Sequence, residues 1–205
     1  MVVPPPHVPD LQMAATLTPN DKDDLRRNLR LRRRAFVAKM DNCQRQLHGI
    51  VIARIALAEA EGAKVIACYL ANANEVDAMP ALQIAAARGV ATALPHITER
   101  NGVMRFARWR PGERLVTGPY GLPQPVAEAE ELIPDAIISP LVGFDRAGNR
   151  LGQGGGFYDR AFATLPSARR IGLAWSVQEV DALPVDSWDA RLHAVVTERE
   201  RIDFS

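Results

Sequence analysis

Residues 135–160 read DAIISPLVGFDRAGNRLGQGGGFYDR, and three kinds of segment follow one another within them. The apolar run 135–142 predicts a buried strand, and the Gly, Asp and Asn residues after it predict a turn. Four glycines then lie between residues 152 and 156, and a helix is predicted from near Gly156 to about Leu165. Strand, glycine loop and helix in this order are typical of an α/β domain whose ligand binds beyond the carboxyl end of a strand.

Apolar runs alternate with helical patterns along the rest of the chain. Further strands are predicted at residues 64–70, 90–94, 170–176 and 193–197. The Gly-, Pro- and aromatic-rich region 98–126 predicts a hairpin and a long loop, and long loops in compact domains are often functional. Buried strands that alternate with helices favour a largely parallel sheet. We therefore predict an α/β fold, a single-domain, Rossmann-like three-layer sandwich with a mostly parallel sheet, over residues 18–205.

Three helices are predicted before the stretch at 135–160. The first begins with Thr18 as its cap and Pro19 in its first turn. Its apolar stripe consists of Leu25, Leu29, Phe36 and Met40. A basic row runs directly beside this stripe: Lys22, Arg26 and Arg33, with Arg30 a little further round. Such a row is either a solvated face or the wall of a cleft. The second helix, residues 43–61, is predicted to bury Leu47, Ile50, Val51 and Ile55, and the third begins at Pro80 and ends near Gly89.

Composition excludes several classes of protein. The chain has 205 residues, 47% hydrophobic, 24% charged, and a formal net charge of +1, which predicts neither a nucleic-acid nor a membrane partner. Residues 1–17 are rich in proline and lack the pattern of a signal peptide, so we predict an extended, poorly ordered tail. Cys43 and Cys68 have no metal-binding spacing and are predicted to be reduced thiols of a cytoplasmic protein.

The glycine loop has the chemistry of a phosphate site. Backbone amides without β-carbons around them can converge on an anion, and the start of a helix adds partial positive charge. Arg150 and Arg160 would add cations, and Asp159 could hold Mg²⁺. The loop matches neither the P-loop nor the dinucleotide-binding fingerprint, so a tight turn that packs the helix against the strand stays a second interpretation. Asp145 is predicted to shape the preceding turn, and Trp109, Trp175 and Trp188 are predicted to be packing anchors.

Five motifs in order identify a family resemblance. They are KDDLR (22–26), NEVDAMP (74–80), GPYGLPQP (118–125), PLVGFDRAGNRLGQGGGFYDR (140–160) and LPVDSWDARLHAVVT (183–197). The chain resembles the 5-formyltetrahydrofolate cyclo-ligase family from about Lys22 to about Thr197. The resemblance implies ATP- and Mg²⁺-dependent cyclisation of 5-formyltetrahydrofolate to 5,10-methenyltetrahydrofolate, with release of ADP and phosphate through a phosphorylated, imidate-like intermediate.

The resemblance also implies a role for each matching position. It implies that Lys22 and Arg150 position phosphate in catalysis. The ATP-binding residues would be Lys22, Arg26, Arg150, Leu151, Gly152, Gln153, Gly154, Gly155, Gly156, Phe157 and Tyr158. The residues that bind the folate substrate would be Glu75, Tyr120, Gln153, Gly155 and Phe157. The Mg²⁺ ligands would be Asp159 and Asp189. Some family members carry Arg, Lys and Tyr at the positions of Gln153, Gly155 and Phe157, which shifts the expected phosphate contacts from side chains towards backbone.

Other functions are compatible with parts of the sequence. A non-catalytic folate- or nucleotide-binding module would sequester or sense its ligand without turnover. A sugar-phosphate or coenzyme A enzyme on a similar scaffold would leave Lys22, Arg26 and Asp189 without a role. The sequence favours a monomer with small-molecule partners, folate and ATP.

Overall fold

The computed structural model describes residues 19–72, 74–99 and 102–204, and four α-helices and eleven strands lie within them. The helices are α1 (Pro19–Val37), α2 (Asn42–Glu59), α3 (Met79–Ala87) and α4 (Phe157–Thr164), with a short 3₁₀ helix at Ser176–Gln178. The strands are β1 (Val65–Ala67), β2 (Ala91–Ile97), β3 (Met104–Arg108), β4 (Leu115–Thr117), β5 (Pro123–Pro125), β6 (Ala136–Pro140), β7 (Gly143–Phe144), β8 (Arg150–Leu151), β9 (Arg169–Leu173), β10 (Ala194–Val196) and β11 (Arg201–Asp203). The predicted tail 1–17 and the capping residue Thr18 lie outside the described residues.

Seven strands form the central sheet in the order β11-β10-β9-β6-β1-β2-β3. The inner pairs are all parallel; Ile66 of β1, for example, aligns with Thr92 on one side and Ala136 on the other. The two edge strands, β3 and β11, are antiparallel to their neighbours. β1 and β2 are joined through α3, and β6 and β9 through α4, as the sequence predicts, whereas β9 and β10 are joined by a loop with the short 3₁₀ helix. Edge strand β11 was not predicted from the sequence. It has only three residues, one apolar between two charged, which is too short a pattern to indicate a strand.

Helices cover both faces of the sheet. Alternate side chains of one strand point to opposite faces, so Ile138 packs with Ile66 beneath α2 and α3, and its neighbour Ile137 packs with Phe162 of α4. Both isoleucines of β6 are fully buried. The two cores and the sheet between them make the three-layer α/β arrangement that the sequence predicts.

The predicted buried face of α2 is wrong. Leu47, Ile50 and Val51 are 60%, 43% and 44% exposed, and only Ile55 of the predicted set packs against the core. The helix buries another face instead, made of Gly49, Ile52, Ala53, Ala56 and Leu57. The small residues on that face let α2 approach the sheet and α3 closely, and the resulting close packing outweighs the exposure of three larger side chains.

Asp145 holds the turn before the glycine loop, as predicted. Its buried carboxylate accepts hydrogen bonds from the amides of Ala147 and Asn149 through Oδ1, at 3.0 Å each. Oδ2 accepts from the Asn149 side chain at 2.9 Å and from the Leu183 amide at 2.9 Å. The same carboxylate therefore ties the β7–β8 hairpin to the segment that carries Trp188 and Asp189.

Gly172 of β9 is expected to tolerate no side chain. A Cβ at this position would lie 2.7 Å from methyl carbons of Leu141 and Leu192 and 3.2 Å from Val195, and all three side chains are buried. Gly172→Ala should therefore lower the free energy of unfolding by about 1–3 kcal/mol through overpacking, measured by urea denaturation.

Gly49 provides the matched control for this prediction. A Cβ at Gly49 meets its nearest neighbour, Asp77, at 3.9 Å, which is ordinary contact. Because glycine in a helix costs about 0.5–1 kcal/mol relative to alanine, Gly49→Ala in α2 should leave stability unchanged or raise it. Equal destabilisation by the two substitutions would contradict the packing described for β9.

Candidate active site

A cavity of about 880 Å³ opens at the carboxyl edge of the parallel strands. Its wall includes Tyr69 just after β1, Ile97 at the end of β2 and Pro140 at the end of β6. All fifteen site residues predicted from the sequence line this cavity: Lys22, Arg26, Glu75, Tyr120, Arg150, Leu151, Gly152, Gln153, Gly154, Gly155, Gly156, Phe157, Tyr158, Asp159 and Asp189. They come from α1, from the loop after β1, from the β4–β5 connection, from residues 150–159 and from the segment before β10, so the fold brings together residues far apart in sequence.

The glycine loop turns sharply into α4. Gly154 and Gly156 have φ angles of +105° and +63°, a region that side chains other than glycine rarely adopt, and Gly156 occupies the N-cap position of the helix. The first amides of a helix have no acceptor within it, and they carry the positive end of the helix dipole. The loop therefore offers unhindered backbone donors at the cavity wall, the arrangement that suits an anion.

The basic row of α1 faces this loop. Arg26 donates through Nε to the carbonyl oxygen of Gly152 at 3.0 Å, and Arg30 donates to Oε1 of Gln153 at 2.6 Å. Lys22 Nζ lies 2.6 Å from Asp186 Oδ2 and 3.0 Å from Asp189 Oδ2. Burial works to lower the pKa of Lys22, but its hydrogen bonds and Coulomb attraction to the two aspartates prevail, so the pKa is raised above its ordinary value. Lys22 is therefore a permanent cation on the cavity wall.

A buried polar network lies at the inner end of the cavity. Glu75 accepts from the Asn72 amide at 3.0 Å and from Gln153 Nε2 at 3.0 Å, and its Oε1 lies 3.6 Å from Arg33 Nη1. Arg33 also donates to the carbonyl of Leu141, while its buried Nε has no partner among the described residues. Burial lowers the pKa of Arg33, and the charge of Glu75 opposes that change. The carboxylate of Glu75 is thus held in place from three sides.

The guanidinium of Arg150 is buried and is held by an ion pair and by two aromatic rings. Its side chain is 2% exposed, Nη2 donates to Asp159 Oδ1 at 2.7 Å, and its guanidinium lies over the rings of Tyr158 and Phe162 at 5.6 and 5.5 Å from their centroids. Its buried Nε has no acceptor within the described part of the chain. Burial raises the pKa of Tyr158, which leaves that phenol neutral. Arg150 is therefore a fixed cation rather than a mobile one.

Aromatic rings form another part of the wall. Tyr120, in the connection between β4 and β5, meets Phe157 edge to face, with centroids 5.5 Å apart and planes at 82°. Arg160 lies over the same Phe157 ring at 4.9 Å. Rings in this arrangement can receive a flat aromatic ligand.

Two of the wall carboxylates fit a magnesium ion that arrives with a phosphate ligand. No group of three or more His, Cys, Asp or Glu side chains within residues 19–72, 74–99 and 102–204 is arranged to hold a metal. Asp159 and Asp189 are each neutralised by a cation, Arg150 and Lys22. Mg²⁺ usually takes one or two protein carboxylates and completes its shell with water and substrate phosphates, so two carboxylates on a wall that also carries cations are a suitable donor set.

Several wall residues lie outside the predicted site set, and four of them are Arg30, Arg33, Asp186 and Trp188. The sequence places Arg30 and Arg33 in the basic row without a role in the site, and it predicts no role for Asp186. Trp188 was predicted to be a packing anchor; Trp109 and Trp175 are buried as predicted, but Trp188 is 71% exposed and lines the cavity. Their positions in the sequence could have indicated this. Arg33 follows Lys22 by eleven residues, which is three helical turns, so both lie on one face of the helix. Asp186 and Trp188 precede the predicted site residue Asp189 by three residues and by one.

None of the helices in the described part of the chain is long and apolar enough to span a membrane. The two cysteines form no disulfide; Cys43 is exposed and Cys68 is buried.

Comparison with known proteins gives one consistent result. A family model described as the 5-formyltetrahydrofolate cyclo-ligase family matches residues 18–198. The 5-formyltetrahydrofolate cyclo-ligase of Escherichia coli (strain K12) is 34% identical over 142 residues, which are 66% of this chain and 78% of the relative. The Haemophilus influenzae protein of the same name is 32% identical over 148 residues, 68% of this chain and 79% of the relative.

A solved structure extends the likeness to the fold. The NMR structure of Aquifex aeolicus 5,10-methenyltetrahydrofolate synthetase is similar with a TM-score of 0.74 and 29% identity, over 89% of this chain and 92% of that one. The α/β fold with a mostly parallel sheet, predicted from sequence, is confirmed by this match.

Proposed function

Because the chain belongs to the 5-formyltetrahydrofolate cyclo-ligase family, we propose that it uses ATP and Mg²⁺ to cyclise 5-formyltetrahydrofolate to 5,10-methenyltetrahydrofolate. The observation that carries the proposal is the convergence of Lys22, the glycine loop, Arg150 and Glu75 on one cavity. That cavity combines a cationic wall with an acidic inner end and aromatic sides. Such a wall suits two ligands of different chemistry, a polyphosphate and a flat heterocycle with N–H donors.

The polyphosphate of ATP is expected along the glycine loop. Lys22 and Arg150 would neutralise charge on the transferred phosphate, and Arg26, whose Nε donates to the Gly152 carbonyl, would hold the loop in place. Asp159 and Asp189 would hold Mg²⁺, which supplies charge neutralisation between the phosphate groups when bound. The charges of Arg150 and Lys22, now paired with these two carboxylates, would then be available to phosphate oxygens. Phosphoryl transfer depends mainly on such positioning and electrostatic stabilisation.

The folate is expected beside Glu75, at the inner end of the cavity. Glu75 would accept hydrogen bonds from the donor edge of the pterin, because its carboxylate is held there by Asn72, Gln153 and Arg33. Phe157 and Tyr120 would pack against the flat rings. Gln153 and Gly155 are the loop residues expected to contact both ligands, and both line the cavity.

The reaction then needs no nucleophilic side chain. The formyl oxygen attacks the γ-phosphorus, the bond from that phosphorus to the bridging oxygen breaks, and ADP leaves. Nitrogen 10 of the folate then forms a bond to the formyl carbon, its proton is lost, and phosphate leaves with the former formyl oxygen. The chain's own contribution is to bring two substrates together, to shield them from water and to stabilise the charge on phosphate.

A turnover assay tests this proposal. Purified protein with MgATP and 5-formyltetrahydrofolate should produce the near-ultraviolet absorbance of the methenyl product, with one ADP and one phosphate per product. Omission of ATP, or removal of Mg²⁺ by a chelator, should stop the reaction. Failure to form product under anaerobic, reducing conditions would reject the proposed activity.

Glu75→Gln should weaken folate binding selectively. The substitution removes the charge that accepts the pterin donors and leaves the buried Arg33 without its counter-ion. A hydrogen bond to a charged group contributes about 1.5–3 kcal/mol, so KM for 5-formyltetrahydrofolate should rise roughly 10- to 100-fold while KM for ATP stays within about threefold. Steady-state kinetics with each substrate varied in turn provide the measurement.

The exposed Glu61 supplies the control for this change. Glu61→Gln should alter neither constant, and thermal unfolding of both variants separates a binding effect from a loss of folded protein. An unchanged folate KM in folded Glu75→Gln protein would remove Glu75 from the substrate site.

A further inference from the structure

Trp188 is the tryptophan that the protein does not use for packing. Of the three tryptophans in the chain, Trp109 and Trp175 are 4% and 1% exposed, whereas Trp188 is 71% exposed. A single exposed apolar side chain is common and needs no explanation by itself. Trp188 differs because its side chain lines the cavity described above. A large, flat, solvent-accessible ring on a ligand cavity wall is a surface on which another flat ring can stack.

The turn around Trp188 fixes its position relative to Lys22. The Asp189 amide donates to the Asp186 carbonyl at 3.0 Å, and the Asp186 amide donates to Asp189 Oδ2 at 2.8 Å. Both carboxylates of this turn contact Lys22 Nζ. Consecutive Cα atoms are about 3.8 Å apart, so the indole begins one residue from a group that contacts Lys22. Trp188 therefore adjoins the polyphosphate end of the cavity.

We propose that the indole of Trp188 stacks on the purine base of the nucleotide. The proposal rests on the proposed function in one respect, that ATP occupies this cavity with its phosphates near Lys22. The base of a nucleotide lies only a ribose away from its phosphates, and Trp188 is the aromatic wall residue adjacent in sequence to Asp189. The folate rings have a different aromatic surface, Phe157 and Tyr120, which contact each other beside the glycine loop. Stacking is tolerant of base identity but strongest for the larger rings of a purine.

Fluorescence provides a direct test, because the other two tryptophans are buried. Emission should be excited at the red edge of tryptophan absorption, where adenine does not absorb. MgADP should quench the emission of the wild-type protein, and inorganic tripolyphosphate with Mg²⁺ should not. Trp188→Phe should lose the quenching. Quenching by tripolyphosphate as strongly as by MgADP, or quenching that persists in Trp188→Phe, would overturn the assignment. Quenching by 5-formyltetrahydrofolate that remains after correction for its own ultraviolet absorption, and that is lost in Trp188→Phe, would place the folate there instead and would also overturn the assignment.

Kinetics test the same contact during turnover. Trp188→Ala should raise KM for ATP about tenfold with kcat within about twofold, since base–aromatic stacking contributes affinity and not chemistry. Trp188→Phe should restore most of the affinity because it keeps a flat ring. Val185→Ala is the matched control: Val185 is 54% exposed in the same segment but is not part of the described cavity wall, and its KM should not change.

The two proposals fail differently. If wild-type protein forms product and Trp188→Ala has an unchanged KM for ATP, the base contact is rejected and the activity stands. If MgADP quenches Trp188 but wild-type protein forms no product, the nucleotide site stands and the activity is rejected.

Discussion

Lys22→Ala is expected to lower kcat/KM for ATP by roughly 10²- to 10³-fold, because it removes a permanent cation from the wall that we propose binds phosphate. The raised pKa of Lys22, which its two aspartate partners maintain against burial, means that it is protonated throughout the range in which the enzyme is assayed. Raising or lowering the pH within the neutral range should therefore not alter the size of the defect. Steady-state kinetics at several pH values check both statements.

The stability of Lys22→Ala should change little. Asp186 is 42% exposed and Asp189 20%, so water can solvate the two carboxylates once the lysine is gone. Partly exposed ion pairs contribute about 1 kcal/mol or less, and urea denaturation should show a change no larger than that. A loss of stability as large as the increase in activation free energy would contradict the placement of Lys22 on the cavity wall.

Arg27 supplies the control on the same helix. It lies five residues further along α1, is 71% exposed and pairs with Asp24 at 2.8 Å. Arg27→Ala should keep full activity and near-full stability. If Arg27→Ala reduced activity as strongly as Lys22→Ala, the defect would reflect the general charge of the helix and not one contact.

Arg150→Met is expected to abolish activity to below about 10⁻³ of wild type and to destabilise the protein as well. Only the guanidinium of this ion pair is fully buried; the side chain of Asp159 is 19% exposed at the cavity wall and can be partly solvated, so we expect a loss of about 1–3 kcal/mol rather than the larger cost of a fully buried pair. Here Asp159 would lose a 2.7 Å partner, and the rings of Tyr158 and Phe162 would lose the guanidinium that lies over them. Activity measured under stabilising conditions and urea denaturation give the two readouts.

Arg150→Lys is a second variant that tests the role of Arg150 if Arg150→Met does not fold. Lysine retains the charge but not the planar fork or its stacking on two rings, so it should fold and lose about 10- to 100-fold in kcat/KM. Asp159→Asn should instead shift the Mg²⁺ requirement to higher concentration, measured by titration at fixed ATP. Wild-type activity in folded Arg150→Lys, together with an unshifted Mg²⁺ requirement in Asp159→Asn, would remove both residues from the phosphate site.

Some features followed from local pattern alone. A strand at Ala136–Pro140, a glycine loop and a helix at Phe157–Thr164 lie where the sequence predicts them. Pro19 lies in the first turn of α1, and Pro80 in the first turn of α3. These features depend on neighbours within a few residues, through the fixed φ of proline, the freedom of glycine and the periodicity of apolar side chains. The basic row of α1 was predicted beside its apolar stripe for the same reason.

Trp188 and the outer face of α2 show where local pattern failed. Leu47, Ile50 and Val51 are exposed because the small residues Gly49, Ala53 and Ala56 allow closer packing on the other side of the helix. Trp188 lies on a cavity wall because Asp186 and Asp189 turn the chain towards Lys22. Both outcomes depend on which surfaces pack together between the layers of the fold. The size or hydrophobicity of one residue does not reveal the shape of the surface against which it packs.

By itself, the sequence determined the element types, the α/β class, the family and the residue types of the site. Only the tertiary structure decided the order of the seven strands, the face that α2 buries, and the meeting of Lys22, Glu75 and Arg150 around one cavity. The physical reason is range: backbone conformation follows from contacts between near neighbours, whereas burial and ion pairing follow from contacts such as Lys22–Asp189, whose partners are 167 residues apart.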